Sequence, residues 1–250
     1  MTFVGAHKAA RLGTLCGLFL LGSSWGCGNP IDHQVSDRIA AVLPKTLGPA
    51  RHYDVKTTGT SLRLTSGHIG KVTIHADDVL LAPGLTVDTL DAQVQDIGLD
   101  TRSQSVTGMS PIQFVVGINS AHLNSYLAAT AASAPSRPQN LAVQCEGQSL
   151  AISFTVRPLL VNVPVSVSGN LVPHPGRPNQ LDFVPSGGHL SIVPVPTSLV
   201  NFALSHVNPV VDLSTMSTPL AIDRSWVEGG RLYLSGTATA PPSSFSHPAS

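Results

Sequence analysis

Apolar and polar residues alternate over much of this chain, and the longest such stretch is Gly67–Asp100. Its first half alternates Val, Ile and Ala with Thr, His and Asp, the period of a half-buried strand. Leu81-Ala-Pro-Gly84 then interrupts the pattern as a turn does. A second strand is predicted from Leu85 to about Leu99. Its apolar residues change parity twice, which predicts bulges that bend the strand and increase its twist.

The same alternation predicts strands along the rest of the chain. They are Tyr53–Leu64, Ile112–Ile118, a hairpin within Asn140–Arg157, Val161–Ser168, Leu181–Phe183, Leu190–Ile192, and a last hairpin of Leu220–Val227 and Arg231–Thr239. Pro164 cannot donate a backbone hydrogen bond, so its strand is an edge strand or Pro164 occupies a non-bonded site. The Pro- and Gly-rich stretch His174–Asn179 is predicted to be a loop.

Three segments instead show the helical spacing of apolar residues: Asp32–Gly48, Asn119–Ser133 and Pro196–Asn208. The middle segment begins well, because the side chain of Asn119 or Ser120 can accept from first-turn N–H groups. Parallel βαβ alternation is absent from the pattern. The chain is therefore predicted to be an α+β protein, with a mainly antiparallel, strongly curved sheet wrapped around two or three short helices.

Composition fits one β-rich domain. Of the 250 residues, 42% are hydrophobic but only 11% are charged, and 22 Gly and 20 Pro are spread between the strand-like runs. Two of the 14 basic residues precede Cys27, so the chain from Cys27 onward carries a net charge of about −2. It has no basic stripe, which argues against nucleic acid as a partner.

The N-terminus has the form of an export signal. Lys8 and Arg11 precede an apolar run, Leu12–Gly22, that is too short for a fixed transmembrane helix. Two endings stay open: ordinary cleavage after small residues near Gly26, or lipid modification of Cys27 as in a lipoprotein. We therefore expect a signal peptide at residues 1–26, a single domain at 27–240, a disordered tail at 241–250, and a location in the periplasm or cell envelope.

The order of elements, together with several short stretches, resembles one protein family. The stretches are Val35–Leu47, Ser66-Gly-His-Ile-Gly70-Lys-Val-Thr-Ile, Leu90-Asp-Ala-Gln-Val-Gln-Asp-Ile-Gly-Leu99, Ser120-Ala-His-Leu-Asn-Ser-Tyr-Leu127, Pro219-Leu-Ala-Ile and Glu228-Gly-Gly-Arg-Leu-Tyr-Leu-Ser-Gly236. In this succession the chain is similar to the LmeA-like phospholipid-binding proteins of the bacterial cell envelope. The likeness covers about residues 31–240.

This resemblance implies an exported protein that holds phospholipid in a tube or groove between curved sheet and helices. We expect it to have no catalytic residues and no cofactor. The candidate lining residues lie on the apolar faces of the predicted elements. They are Val72, Ile74, Leu90, Val94, Phe114, Val116, Leu123, Leu127, Ile152, Phe154, Val163, Val165, Phe183, Leu199 and Phe202. The expected partners are a phospholipid or related membrane lipid and the membrane surface, with no protein partner indicated.

Two other classes of function remain open. The same apolar residues would also suit an ordinary packed core, which makes a structural or adhesive envelope protein the alternative. The second class is an enzyme acting on envelope glycans or lipids, which would need polar residues converging in one pocket. The sequence shows no such cluster and lacks the Gly-x-Ser-x-Gly turn of a serine hydrolase, so no enzyme is expected. His75 and Asp77 share a strand face, but two ligands do not make a metal site. Cys145 has no partner for a disulfide and no nucleophile motif around it.

Overall fold

The computed structural model describes residues 36–37, 39–41, 43–44, 47–58, 68–100, 105–131, 139–156, 163–187, 207–214, 216 and 218–239. In this part of the chain the fold is mostly antiparallel β, with a strongly curled half-barrel sheet and two helices. Its strands form two sheets, a seven-stranded one that we call the curled sheet and a five-stranded one that we call the second sheet.

The curled sheet is built around the hairpin that the sequence predicts. Strand β2 spans His68–Ala82 and strand β3 spans Leu85–Asp100. Gly84 closes the turn between them with a φ of +80°, in the left-handed region that glycine enters without steric penalty. At 15 and 16 residues these strands are far longer than usual, so they can follow the curvature of the sheet.

The predicted changes of parity occur on both strands of this hairpin at the same levels. Asp78 of β2 and Asp96 of β3 have left-handed φ values of +50° and +52°. At each level the numbering of the buried residues changes parity on both strands. The pairing register is constant from His68↔Gly98 to Leu80↔Thr86, so no extra residue is inserted at these levels. The prediction of bulges is therefore wrong: the inward-facing parity changes on both strands without an inserted residue, and one strand has a left-handed aspartate at each of these levels.

The other strands of the curled sheet come from distant parts of the chain. They are β1 (His52–Thr58), β4 (Ser105–Gly108), β5 (Ile112–Asn119), β11 (Leu220–Glu228) and β12 (Arg231–Ala238). The order across the sheet is β1-β2-β3-β5-β12-β11, and β4 pairs with the end of β3. The last hairpin of the chain is thus joined to its middle through the pairing of β12 with β5.

The second sheet has the order β10-β9-β8-β7-β6. Its strands are β6 (Gln139–Glu146), β7 (Ser149–Val156), β8 (Val163–His174), β9 (Arg177–Gly187) and β10 (Val211–Asp212). The prediction of a loop at His174–Asn179 is wrong. Only residues 175 and 176 form the turn, because Gly176 adopts a left-handed φ of +77° and lets both strands extend to it.

Pro164 lies in a part of β8 that has one partner. It pairs with Thr155 of β7, whereas the pairing of β8 with β9 begins only at Ser168. Within the described residues, this first part of β8 is a local edge although the strand as a whole is interior. The missing N–H of Pro164 is tolerated for that reason.

Two helices accompany the sheets. The first, α1, is helical at the described positions between 36 and 44, and Leu43 is buried against the core. The second, α2, spans Ser120–Ala131 and begins as predicted, since the Asn119 side chain accepts a hydrogen bond from the His122 N–H at 2.8 Å. Leu123, Tyr126 and Leu127 form its buried face.

Helix α2 joins the two sheets and covers an edge of the second one. Asn124 Oδ1 accepts from the Val143 N–H at 2.7 Å, and Asn124 Nδ2 donates to the Val143 carbonyl at 2.9 Å. Ser120 Oγ accepts from the Cys145 N–H at 3.0 Å. Both partners lie on β6, the edge strand, so helix side chains complete hydrogen bonds that a further strand would otherwise make.

Some predicted elements fall outside the described residues. These are the signal peptide at 1–26, the strand at Leu190–Ile192, the tail at 241–250, and the helix Pro196–Asn208 apart from its last two residues. Val207 and Asn208 are described and are not helical. The Asn208 side chain pairs with the backbone N–H and carbonyl of Phe183, at 2.9 and 3.2 Å, and so extends the edge of β9.

Candidate functional site

The inner face of the curled sheet is a continuous apolar surface that crosses several strands. One row of paired residues across β1, β2, β3 and β5 consists of Val55, Ile74, Ala92 and Phe114. The next row, across β2, β3, β5 and β12, consists of Ala76, Leu90, Val116 and Leu234. All of these side chains are buried or nearly so, and none of them can form a directed hydrogen bond.

Burial along this face changes from one end to the other. On β3 the exposed fraction falls from 7% at Ile97 and Val94, through 6% at Ala92 and 4% at Leu90, to 0% at Val87. On β5 it falls from 8% at Phe114 through 3% at Val116 to 0% at Ile118. Val72, which pairs with Val94, departs from the trend because it is fully covered. We call the end at Ala92 and Phe114 the open end.

The opposite end is closed by α2. The helix follows directly after β5, and its residues Leu123 and Leu127 are fully buried beside the core. A Cβ atom on Gly84, in the β2–β3 turn, would lie 3.0 Å from the Cβ of Ala129, which shows how closely the turn and the helix approach. We call this end the closed end.

A polar cluster holds α2 in place at the closed end. Asp88 of β3 accepts hydrogen bonds at 2.5 Å from both the backbone N–H and the side-chain amide of Asn119. His122 Nδ1 lies 3.3 Å from Asp88 Oδ1. A carboxylate at this position also faces the positive end of the helix dipole. The cluster therefore positions the helix.

Helix α1 lies beside the open end. Ser36 Oγ and Thr57 Oγ1 are 3.1 Å apart and buried, and the Thr57 N–H donates to Ser36 Oγ at 3.2 Å. These bonds attach α1 to the outer edge of β1. Ile39, Ala40 and Leu47 add partly buried contacts with the same core.

The structure places the predicted lining residues in a single apolar cluster but on different elements. Six lie on the curled sheet (Val72, Ile74, Leu90, Val94, Phe114 and Val116), two on α2 (Leu123 and Leu127), and four on the second sheet (Ile152, Phe154, Val165 and Phe183). Leu199, Phe202 and the side chain of Val163 lie outside the described part of the chain.

The two sheets differ in how tightly these residues are covered. The second-sheet residues Ile152, Phe154, Val165 and Phe183 are all between 0 and 2% exposed. Phe114, Ala92 and Ile74 on the curled sheet are between 6 and 8% exposed. Both inner faces are therefore buried, and the curled-sheet residues at this end are only slightly less covered than those of the second sheet.

Several residues of the same inner face are absent from the predicted lining. They are Val55, Ala92, Ile97, Leu232 and Leu234. Each stands at an apolar position of an alternating pattern, so the signal for an inward side chain was in the sequence. Where Val55, Leu232 and Leu234 stand in the rows depends on the pairing of β1 with β2 and of β12 with β5, and no local sequence pattern reveals these pairings.

The chemistry of the interior is almost entirely apolar. Among the described residues, the buried polar side chains are Ser36, Thr57 and Gln180, and none is charged. The half-buried Cys145 thiol has its pKa raised, mainly because burial disfavours the thiolate. A raised pKa lowers the fraction of reactive thiolate at neutral pH, which argues against a nucleophilic role for Cys145.

Charged groups lie on the outer surfaces. His75 Nδ1 is 2.7 Å from Asp91 Oδ1 on the outside of β2 and β3, and the hydrogen bond to Asp91 raises the pKa of His75 above its usual value. His174 forms a similar pair with Asp182 at 2.7 Å. In the described ranges, no three His, Cys, Asp or Glu side chains are placed to hold one metal ion.

A small surface groove lies on the second sheet, away from the curled sheet. It has a volume of about 250 Å³ and is lined by Asn140, Ser153, Phe154, Thr155, Pro164, Val165 and Ser166. Most of these residues are polar or exposed. Four of its seven lining residues carry polar side chains, so the groove is not an all-apolar surface like the rows on the curled sheet.

Comparison with known proteins agrees with the apolar geometry. A family model described as LmeA-like phospholipid-binding matches residues 28–237. The chain belongs to this family. The match to the LmeA-like family includes every described strand except the last residue of β12. No curated protein and no solved structure shows significant similarity to the chain.

Within the described ranges, no helix combines the length and the apolar character that crossing a bilayer requires.

Proposed function

We propose that this protein is an exported cell-envelope protein that binds phospholipid, with the acyl chains against the inner face of the curled sheet. The observation that carries the proposal is the row Val55, Ile74, Ala92 and Phe114, a continuous apolar strip across four strands of the curled sheet. Membership of the LmeA-like phospholipid-binding family supplies the class of ligand.

Physical chemistry favours this surface for acyl chains. Hydrocarbon chains gain free energy from the burial of area, at about 0.8 kcal/mol for each methylene removed from water. Ten buried methylenes would thus contribute ~8 kcal/mol before the losses of binding entropy. The lining has no charged group and few hydrogen-bonding groups. An acyl chain placed against it therefore removes water from few polar atoms, and binding carries little desolvation penalty.

The export signal supports a role outside the cytoplasm. Lys8, Arg11 and the apolar run that follows them form a signal peptide in this proposal, and Cys27 follows as the first residue of the processed chain or as its lipid anchor. A phospholipid carrier in this location would exchange lipid with a membrane surface. The family description names binding and no reaction, and we accordingly propose no catalytic role.

Lipid uptake from vesicles tests the proposal. The purified protein is incubated with dioleoyl phosphatidylglycerol vesicles, separated from them, and analysed for phospholipid per protein. Phe114→Asp places a carboxylate on the inner face, whereas Gln113→Asp places one at the adjacent exposed position of β5. A carboxylate among acyl chains loses its hydration, so Phe114→Asp should lower uptake at least tenfold while Gln113→Asp leaves it unchanged.

Two other outcomes of this uptake experiment would contradict the proposal. If the wild-type protein takes up no phospholipid and Phe114→Asp mainly lowers thermal stability, the inner face is a filled core. The structural or adhesive alternative would then hold. Equal uptake by both variants would place the lipid on some other surface.

A further inference from the structure

The apolar rows of the curled sheet are covered in this structure. The row Val55, Ile74, Ala92 and Phe114 is between 6 and 9% exposed, and the row that begins at Ala76 is between 0 and 4% exposed. Protein interiors are packed so densely that no acyl chain fits beside such side chains. A lipid can therefore reach these rows only after an element that covers them has moved.

Helix α2 is attached to two strands of the second sheet. Asn124 and Ser120 together make three hydrogen bonds to the backbone of β6. The Tyr126 hydroxyl donates to the Asp212 carbonyl at 3.2 Å and accepts from the Asp212 N–H at 3.1 Å, which attaches the helix to β10 as well. The buried face of α2 is at most 5% exposed. Moving this helix would break all of these contacts.

Helix α1 contacts the inner side of β1. Ser36 Oγ accepts from the Thr57 N–H at 3.2 Å and lies 3.1 Å from Thr57 Oγ1. Thr57 is two residues from Val55, so both side chains lie on the same inner face. Leu43 is 7% exposed and Ile39 is only partly buried, so α1 is less deeply packed than α2. An element that buries less apolar area separates from the core at a lower free energy.

The chain that follows α1 is fixed at a defined point. Gly48 has a left-handed φ of +106°, and its carbonyl accepts from the Tyr53 hydroxyl at 2.7 Å. The Leu80 N–H donates to the Pro49 carbonyl at 2.9 Å. A Cβ on Gly48 would collide with the Leu80 carbonyl oxygen, which shows how closely this residue approaches β2. Since α1 precedes this point, it can turn about Leu47 and Gly48 while β1 and β2 stay paired.

We propose that α1 is a lid over the inner face of the curled sheet. It opens by turning about Leu47 and Gly48, which separates Ser36 from Thr57 and uncovers the apolar rows from the side of Val55, while α2 stays in place. A bound acyl chain stabilises the open state because it contacts the rows only in that state. This inference rests on the proposed function, since it concerns how the lipid whose binding is proposed there reaches the inner face.

Two engineered disulfides test the lid, because each one fixes a different helix. Ser36→Cys combined with Thr57→Cys places thiols where the hydroxyl oxygens lie 3.1 Å apart, and oxidation then joins α1 to β1. Ser120→Cys places a thiol beside Cys145, whose own thiol contacts the Ser120 hydroxyl, and oxidation then joins α2 to β6. The second variant is the matched control.

Each variant must have only one possible disulfide. Cys16→Ala and Cys27→Ser are therefore added to both, and Cys145→Ser is added to the α1 variant. The purified proteins, oxidised or reduced with dithiothreitol, are incubated with dioleoyl phosphatidylglycerol vesicles. Phospholipid per protein is measured over time, and intact mass spectrometry verifies the disulfide.

The lid predicts different effects of the two disulfides. The oxidised α1 variant should take up phospholipid at least fivefold more slowly than its reduced form, because Ser36 can no longer leave Thr57. The oxidised and reduced forms of the α2 variant should take up phospholipid at rates within twofold of each other.

Other outcomes separate the lid from the proposed function. Equal uptake by both forms of the α1 variant, or slow uptake only with the α2 disulfide, would overturn the lid while phospholipid binding itself would stand. Slow uptake with both disulfides would overturn the assignment of the opening to α1 alone. If the α1 disulfide does not form, α1 does not lie where the lid requires it. No uptake by the wild-type protein would instead refute the proposed function.

Discussion

Asn124 is the side chain whose removal should show most clearly how the two sheets are joined. Its amide forms two hydrogen bonds with the backbone of Val143, at 2.7 and 2.9 Å, on the edge strand of the second sheet. Asn124→Ala removes both bonds and leaves the Val143 N–H and carbonyl without these partners. Each backbone group that loses its partner in a buried setting costs about 1–3 kcal/mol.

The expected loss of folding free energy for each of the two backbone groups is in the lower part of that range. The two bonds are only part-buried, so water can replace some of what the amide provided. Asn124→Ala should therefore lower the free energy of unfolding by about 2–4 kcal/mol. Alanine is a better helix former than asparagine, which returns about half a kcal/mol of this loss.

Ser125 provides a matched control on the same helix. Its hydroxyl donates to the Ala121 carbonyl within the helix and is exposed, so Ser125→Ala should change stability by less than about 0.5 kcal/mol. Urea unfolding followed by circular dichroism measures both variants. If Asn124→Ala were as stable as Ser125→Ala, the edge of β6 would not depend on α2, and our account of the joined sheets would be refuted.

Three further predictions concern export, charge and packing. Cys27→Ser should release the protein from membranes into the soluble fraction if Cys27 is lipidated, and unprocessed precursor at steady state would contradict export. Asp91→Asn should lower the pKa of His75, which NMR titration measures. Because the pKa of His75 is raised in the folded state, the stabilisation from the His75–Asp91 pair is present below about pH 6.5 and is lost as the pH rises through the raised pKa. An unchanged His75 titration would contradict the pairing. Gly117→Ala would place a Cβ 2.7 Å from Thr89 Oγ1 and 3.1 Å from Cε1 of Tyr233, whose ring stacks on Trp226 with 5.4 Å between centroids. It should therefore alter the near-UV circular dichroism of this aromatic pair and destabilise the protein by about 1–3 kcal/mol, and an unchanged spectrum would count against that contact.

The sequence was most informative where structure is local. The β2–β3 hairpin, the strand at β5, the turn at residues 147–148 and the last hairpin all follow from alternation and from glycine at the turns. The start of α2 follows from a side chain that can accept from first-turn N–H groups, and Asn119 does so. In each case the residues that decide the structure are within a few positions of one another.

What could not be predicted depends on contacts between distant segments. The pairing of β5 with β12 joins residues more than 110 positions apart, and it places Leu234 beside Val116 in the apolar row. The division into two sheets likewise follows from which strands pair. Ser120 and Asn124 are ordinary polar residues in a helix, and nothing nearby in the sequence indicates that they bind the backbone of β6.

The sequence predicted which residues face inward, whereas their role in binding lipid stays a prediction. Alternation correctly identified inward-facing residues such as Phe114 and Ile152, because burial follows the period of the strand. It could not indicate which of these residues belong to the curled sheet and which to the second sheet, because that division follows from pairings between strands that are remote in sequence.

The central claim is that this chain carries phospholipid. The most direct measurement is native mass spectrometry of the protein produced with its N-terminal segment and purified without detergent, followed by organic extraction and identification of the extracted lipid. Our account predicts a bound species with the added mass of a phospholipid, which the extract then identifies. A protein that shows only its own mass, both as purified and after incubation with phosphatidylglycerol vesicles, would contradict it.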